Sequence, residues 1–209
     1  MWRVLALTVL VAGLLPVAWG QAQSQSKAVT EIETVIAAQK DKVGAILLQQ
    51  QRSLADGCGT LAILMPSAVT VYEPLQMQSG KPVKGSWQVR YAVDACGMAQ
   101  LRNIAMDVVN GNIALAEMVP GDTLTDRALQ KDVLKSFDMA AEVAMPKCVG
   151  NPVIRETRVQ IHPNGADDVW QELWIGRMCG RDVGQIVKFM PNAKGTTFRM
   201  SLPKATLAK

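Results

Sequence analysis

One stretch of this chain occurs twice. Trp87-Gln88-Val89-Arg90-Tyr91-Ala92-Val93-Asp94-Ala95-Cys96-Gly97 returns as Trp170-Gln171-Glu172-Leu173-Trp174-Ile175-Gly176-Arg177-Met178-Cys179-Gly180. Both copies read Trp-Gln, two residues, an aromatic, four residues, Cys-Gly, and they lie 83 residues apart. In the first copy Trp87, Val89, Tyr91 and Val93 alternate with Gln88, Arg90, Ala92 and Asp94. A period of two is that of a half-buried strand. A strand that recurs at a fixed offset makes the chain a tandem repeat of one supersecondary unit. Other landmarks keep the spacing: Cys58 to Cys148 is 90 residues, Pro74 to Pro163 is 89, and Gly111 to Gly195 is 84.

The segments around the two copies predict matching elements. Val29, Ile32, Ile36, Val43, Ile46, Leu47 and Leu54 recur at helical steps, so residues 27–54 predict a helix, capped by Ser26 and stopped near Gly57. A short strand over 68–73 then ends at Pro74, and a loop over 76–86 leads into the signature strand. Strands over 101–109 and 113–119 flank Asn110-Gly111, a pair suited to a type I′ hairpin turn. Ile113 and Leu115 on one face, with Ala114, Ala116 and Met118 on the other, predict a strand covered on both sides where the modules meet. Pro120-Gly121-Asp122 breaks the chain, and Thr123 or Thr125 caps a second helix over 126–144 with the stripe Leu129, Val133, Phe137, Ala141, Ala144. Strands over 153–161, 170–178, 183–190 and 196–202 complete the second copy, and 205–209 is a tail. The expected fold is α+β: a tandem duplication of a helix plus a four-stranded antiparallel meander sheet, each module with one disulfide.

The N-terminus reads as a targeting segment. Arg3 precedes an apolar run from Val4 to Val17, and cleavage sites follow near Gly20 or Ala22. The run is too short to span a bilayer. The expected organisation is a signal peptide over 1–22, a first module over 23–120 and a second over 121–209, exported to the periplasm or secreted. No later stretch predicts a membrane span in the mature chain. Four cysteines, all beyond the signal segment, suit an oxidising compartment. Three pairings of Cys58, Cys96, Cys148 and Cys179 are open, and the repeat favours Cys58–Cys96 with Cys148–Cys179. Each would contribute roughly 3–4 kcal/mol in the chain-entropy model. The formal net charge of +4 is spread along the 209 residues, which does not predict a nucleic-acid partner.

No residues suggest a catalytic, cofactor or metal site. His162, the one histidine, stands at a strand end without a nucleophile motif nearby. Asp167-Asp168 reads as turn chemistry. Glu156 and Glu172 could face each other across strands. Asp94 and Arg177, at matched positions, could pair between modules. The dispersed methionines, Met65, Met77, Met98, Met106 and Met118 among them, read as core filler. Trp87, Tyr91, Trp170 and Trp174 read as packing groups.

The Trp-x3-aromatic-x4-Cys-Gly strands, with Gly195-Thr196-Thr197-Phe198, resemble modules of small exported bacterial proteins that have no assigned activity. The resemblance covers the two β blocks and implies no site. At fold level a helix on an antiparallel sheet is also similar to cystatin-like modules, and the tandem arrangement to the secreted β-lactamase-inhibitory proteins. Three readings of function follow. The first is a non-catalytic envelope or secreted protein that binds a protein or small-molecule partner through a sheet face or the groove between modules. The second is a small-molecule carrier with a pocket between helix and sheet. The third is a hydrolase with an unrecognised site.

Overall fold

The computed structural model describes residues 31–54, 59–145, 147–148, 152–165, 168–201 and 204–205. Residues 31–38 are helical. A compact unit spanning Gln39–Lys209 holds everything discussed below. The caps expected at Ser26 and Gly57 lie outside the described residues, as do residues 1–22, expected as a signal peptide. No helix among the described residues is long and apolar enough to cross a membrane.

Helix α1 (Lys40–Leu54) buries Val43, Leu47, Gln50, Gln51 and Leu54, one stripe at helical spacing. Asp41 in its first turn and Arg52 in its last complement the helix dipole. Four strands follow: β1 (Leu61–Gln78), β2 (Lys81–Ala95), β3 (Met98–Val109) and β4 (Asn112–Glu117), antiparallel in the order β1-β2-β3-β4. Helix α2 (Arg127–Ala144) precedes β5 (Val153–Ile161), β6 (Trp170–Met178), β7 (Arg181–Asn192) and β8 (Gly195–Met200), in the order β5-β6-β7-β8. A two-residue β9 (Lys204–Ala205), expected as tail, pairs with Val183 and Gly184 of β7. The architecture is α+β with two antiparallel sheets.

The signature strands are β2 and β6. Trp87, Val89 and Val93 are fully buried, and Tyr91 nearly so. In the second sheet Trp170, Trp174, Val183, Val187 and Phe189 close a core with Val133 and Phe137 of α2. Trp170 stacks on Phe189 with ring centroids 4.7 Å apart. Each signature strand ends in a tight turn with positive φ at both central residues, 60° and 77° at Cys96-Gly97 and 48° and 74° at Cys179-Gly180. Asn110-Gly111 turns as expected, at 52° and 74°. Cys148 and Cys179 form a disulfide with Cα atoms 5.9 Å apart. Cys96 is disulfide-bonded as well; its expected partner, Cys58, lies outside the described residues.

Three expectations need correction. Pro74 does not end a short strand: β1 runs 18 residues through Pro66 and Pro74, and the expected loop is its hairpin with β2. As an edge strand β1 tolerates positions without N–H. Its bulges and prolines also blunt an edge whose Leu64, Met65 and Val71 are exposed. Second, α2 is capped by Asp126, whose Oδ1 accepts from Leu129 N–H at 2.8 Å. Thr123 and Thr125 are buried and serve elsewhere. Ala144, expected in the α2 stripe, is exposed. Third, Ile113 and Leu115 are only half-buried and Ala114 is exposed, so β4, the last strand of its sheet, is not covered on both faces. The segment after β4 is what meets the second sheet. The methionines also divide: Met106 and Met118 are core residues, while Met65, Met77 and Met98 are exposed.

Tyr72 and Tyr91, the two tyrosines of the chain, are both raised from 10.0 to about 12, chiefly by burial. The folded chain therefore retains protons that the unfolded chain releases above pH 10. The stability this contributes is complete below pH 10 and is lost as pH rises through about 12. Alkaline titration of phenolate absorbance is expected to show both groups protonated at pH 10 in the native protein. Titration in urea should return both to ordinary behaviour.

Candidate functional site

Residues 118–125 join the sheets, and their hydrogen bonds explain the local sequence. Met118 N–H donates to Asn103 O at 3.1 Å and Gly121 N–H to Leu101 O at 2.9 Å, so the segment continues along the edge of β3 beyond the end of β4. On its other side Thr157 N–H donates to Pro120 O at 2.9 Å and Asp122 N–H to Thr157 O at 3.1 Å. The linker is thus hydrogen-bonded to β3 on one side and to β5 on the other. Asn103 Nδ2 donates to Val119 O at 2.8 Å and to Gly121 O at 2.9 Å. Asp122 Oδ1 accepts from Val159 N–H at 2.7 Å. Gly121 is obligatory: its φ is +106°, and a Cβ there would stand 2.1 Å from Thr157 O.

Beyond Gly121 the linker enters the core of the second sheet. Glu172 is fully buried on the Trp170–Trp174 face of β6. Its carboxylate accepts from Trp170 Nε1 at 3.0 Å, Trp174 Nε1 at 2.9 Å, Thr123 Oγ1 at 2.7 Å and Leu124 N–H at 2.8 Å. Since the Thr123 hydroxyl donates to Glu172, the Thr125 hydroxyl 2.7 Å away donates to Thr123. Arg90 Nη2 reaches Thr123 O at 2.8 Å, and Gln88 Nε2 and Arg90 Nε both donate to Asn103 Oδ1. A continuous polar chain therefore runs from the first sheet through the linker to Glu172. One signal in the sequence pointed to it: an acid set two residues from a Trp on either side, on a face otherwise apolar.

A cleft of about 710 Å³ opens beside the linker. It is lined by β3 over 98–102, by Gly121 and Asp122, by β5 over 155–158, and by Leu173, Ile175 and Asp182. Leu173 and Ile175 are half-buried on the β6 face turned away from Trp174. A bulge at Arg155 interrupts the pairing of β5 with β6, between Ile154 and Glu156. Six charged residues line the cleft. Arg158 holds Glu156 with two contacts of 2.6 Å. Asp182 stands between two guanidiniums, 3.6 Å from Arg155 Nη1 and 3.2 Å from Arg177 Nε. Arg102 is 2% exposed; its Nη2 donates to neutral Gln51 Oε1 at 2.7 Å, and its Nε has no partner among the described residues. Burial lowers the Arg102 guanidinium from its ordinary value to about 10; nearby Glu117 opposes the fall and the like charge of Arg155 adds to it.

The residues singled out in the sequence do not converge. His162 is exposed just after β5. Asp168 Oδ2 accepts from Asn164 N–H at 3.1 Å, closing its own turn, and Asp167 lies outside the described residues. Glu156 and Glu172 do not face each other: Glu156 is opposite Ile175, and Glu172 opposite Val159. Asp94 and Arg177 do not pair between modules. Asp94 Oδ1 accepts from Gly97 N–H at 2.7 Å, and Arg177 lies across from Asp182.

A buried pair of polar residues had no sequence signal. Arg102 lies opposite Tyr91, and Gln185, at the matched position in the second sheet, lies opposite Trp174. Gln185 is fully buried, and neither Oε1 nor Nε2 has a partner among the described residues. A desolvated, unbonded amide costs on the order of 1–3 kcal/mol. Gln185→Met keeps the unbranched shape without the polar atoms. It is expected to stabilise the protein by about 1–2 kcal/mol, read as a higher urea midpoint with an unchanged slope. A lower midpoint would show that the amide has a partner.

No family model matches the chain, and neither a curated protein nor a solved structure matches it.

Proposed function

We propose that this chain is an exported, non-catalytic binding protein, a duplicated helix-plus-sheet module with one disulfide in each copy, and that it takes its partner in the cleft beside the linker. The observation that carries this reading is the cleft itself. Its volume of about 710 Å³ falls in the range of small-molecule sites, and its lining combines the apolar Leu173 and Ile175 with six charged residues. The duplication is supported by the shared strand order, by the two Cys-Gly turns, and by the matched placement of Arg102 and Gln185. Export is supported by the apolar N-terminal run and by the Cys148–Cys179 disulfide.

The carrier reading converges on the same place. The helix–sheet interiors are filled by Trp87, Phe137, Trp174 and Phe189, each fully buried, so the room for a ligand is at the seam. The hydrolase reading has less support: Glu172, the fully buried carboxylate, is committed to four donors and does not line the cleft. The test is affinity capture from the exported fraction with wild type and Ala99→Trp, which narrows the cleft at an exposed position. The partner identified by mass spectrometry should be retained by wild type and lost by Ala99→Trp. Equal capture by both would place recognition elsewhere.

A further inference from the structure

We propose that the cleft recognises an organic oxyanion, held by Arg102 and Arg155, with its apolar part lying over Leu173 and Ile175. This rests on the reading of the cleft as the binding site and adds the chemistry of what enters it.

The charges on the rim are not equally engaged. Arg158 and Glu156 cancel in a two-contact pair. Asp122 is occupied by the Val159 amide. At the Arg102 end Asp182 stands between Arg155 and Arg177, and Glu117 lies near Arg102. Arg102 is the notable member. It is buried, it lines the cleft, it donates to a neutral amide, and its Nε–H has no partner among the described residues. Glu117 offsets part of this charge, but among the described residues no carboxylate sits on the guanidinium fork, and a second arginine nearby adds repulsion. An incoming oxyanion would relieve both. Guanidinium is also the group that grips carboxylate and phosphate oxygens with paired N–H donors. Leu173 and Ile175, with Met98 and Leu101, give the lining an apolar part that suits an aliphatic or otherwise apolar body.

The experiment is calorimetric titration of the full chain with decanoate, decyl phosphate and decanol, three probes with one tail and different heads. The two anions should bind roughly tenfold or more tightly than decanol, weakening as salt rises. The stronger of the two identifies the oxyanion as carboxylate or phosphate. Arg102→Met, which removes the charge and keeps the buried volume, should bring the anions down to the level of decanol. Arg155→Gln, at a partly exposed position, should lower anion affinity severalfold and serves if Arg102→Met fails to fold by circular dichroism. Anions binding no better than decanol, or unchanged in a folded variant, would overturn the proposal. If Ala99→Trp abolishes partner capture while Arg102→Met and Arg155→Gln retain it, the cleft stands as the binding site and the oxyanion chemistry falls. If Ala99→Trp captures normally, the binding site itself is misplaced.

Discussion

Gly121→Ala is expected to remove most of the stability of this protein. Two costs add at one atom. The backbone at Gly121 has φ +106°, a region that residues with a Cβ rarely enter. The added carbon would also stand 2.1 Å from the Thr157 carbonyl oxygen and 2.4 Å from its nitrogen. Neither is the end of a flexible side chain, so the backbone must move. Movement breaks the paired bonds to Thr157 on one side and Leu101 on the other. The expected loss is about 4 kcal/mol or more, a large fraction of the stability of an ordinary domain. Urea unfolding followed by tryptophan fluorescence checks it. The variant should show either no cooperative transition or a midpoint lowered by about 2 M. A variant within about 1 kcal/mol of wild type would mean that the linker does not need its close approach to β5.

The second large effect is expected at Glu172. Glu172→Leu leaves two indole N–H groups, a threonine hydroxyl and the Leu124 amide without their acceptor, most of them buried. Leucine restores volume but no acceptor. The expected destabilisation is about 4 kcal/mol, as for removing one partner of a buried charge-assisted network. Glu172→Gln keeps one oxygen and turns an NH2 toward groups that are themselves donors, so about 2 kcal/mol is expected. The order matters more than the values: Leu should be clearly worse than Gln. If Leu matched wild type, the carboxylate would not be what holds the linker.

Much of this fold was legible from local pattern. The alternation in Trp87–Val93 fixed the buried face of β2, the positive-φ pair Asn110-Gly111 fixed a hairpin, and helical spacing fixed the Val133–Phe137 face of α2. These signals are local because strands and helices repeat at short periods. What escaped was set by distant partners. The path of β1 through Pro66 and Pro74 is permitted only because its outer edge is open, which depends on the sheet order. Thr123 and Thr125 resemble helix caps in sequence, yet Glu172, 49 residues from Thr123, claims the Thr123 hydroxyl. Arg102 is a solvated charge by ordinary expectation, and its burial depends on α1 and β5. The cleft belongs to this second class. It exists because β4 stops at Glu117 and the linker leaves the rest of the β3 edge to face β5.

The linker also bears on how long the native state lasts. Its bonds to β2, β5 and β6 join residues 33 to 49 positions apart, whereas the β2–β3 and β6–β7 hairpins close over tight turns. Distant contacts form only after the loops between them have closed, so the linker should be set late in folding. Contacts absent from the transition state govern escape from the native basin and hardly touch entry into it. Glu172→Gln should therefore accelerate unfolding in proportion to its loss of stability while refolding proceeds at nearly the wild-type rate, as stopped-flow chevrons would show. By that measure the segment between the sheets acts as a clock on the folded molecule's lifetime.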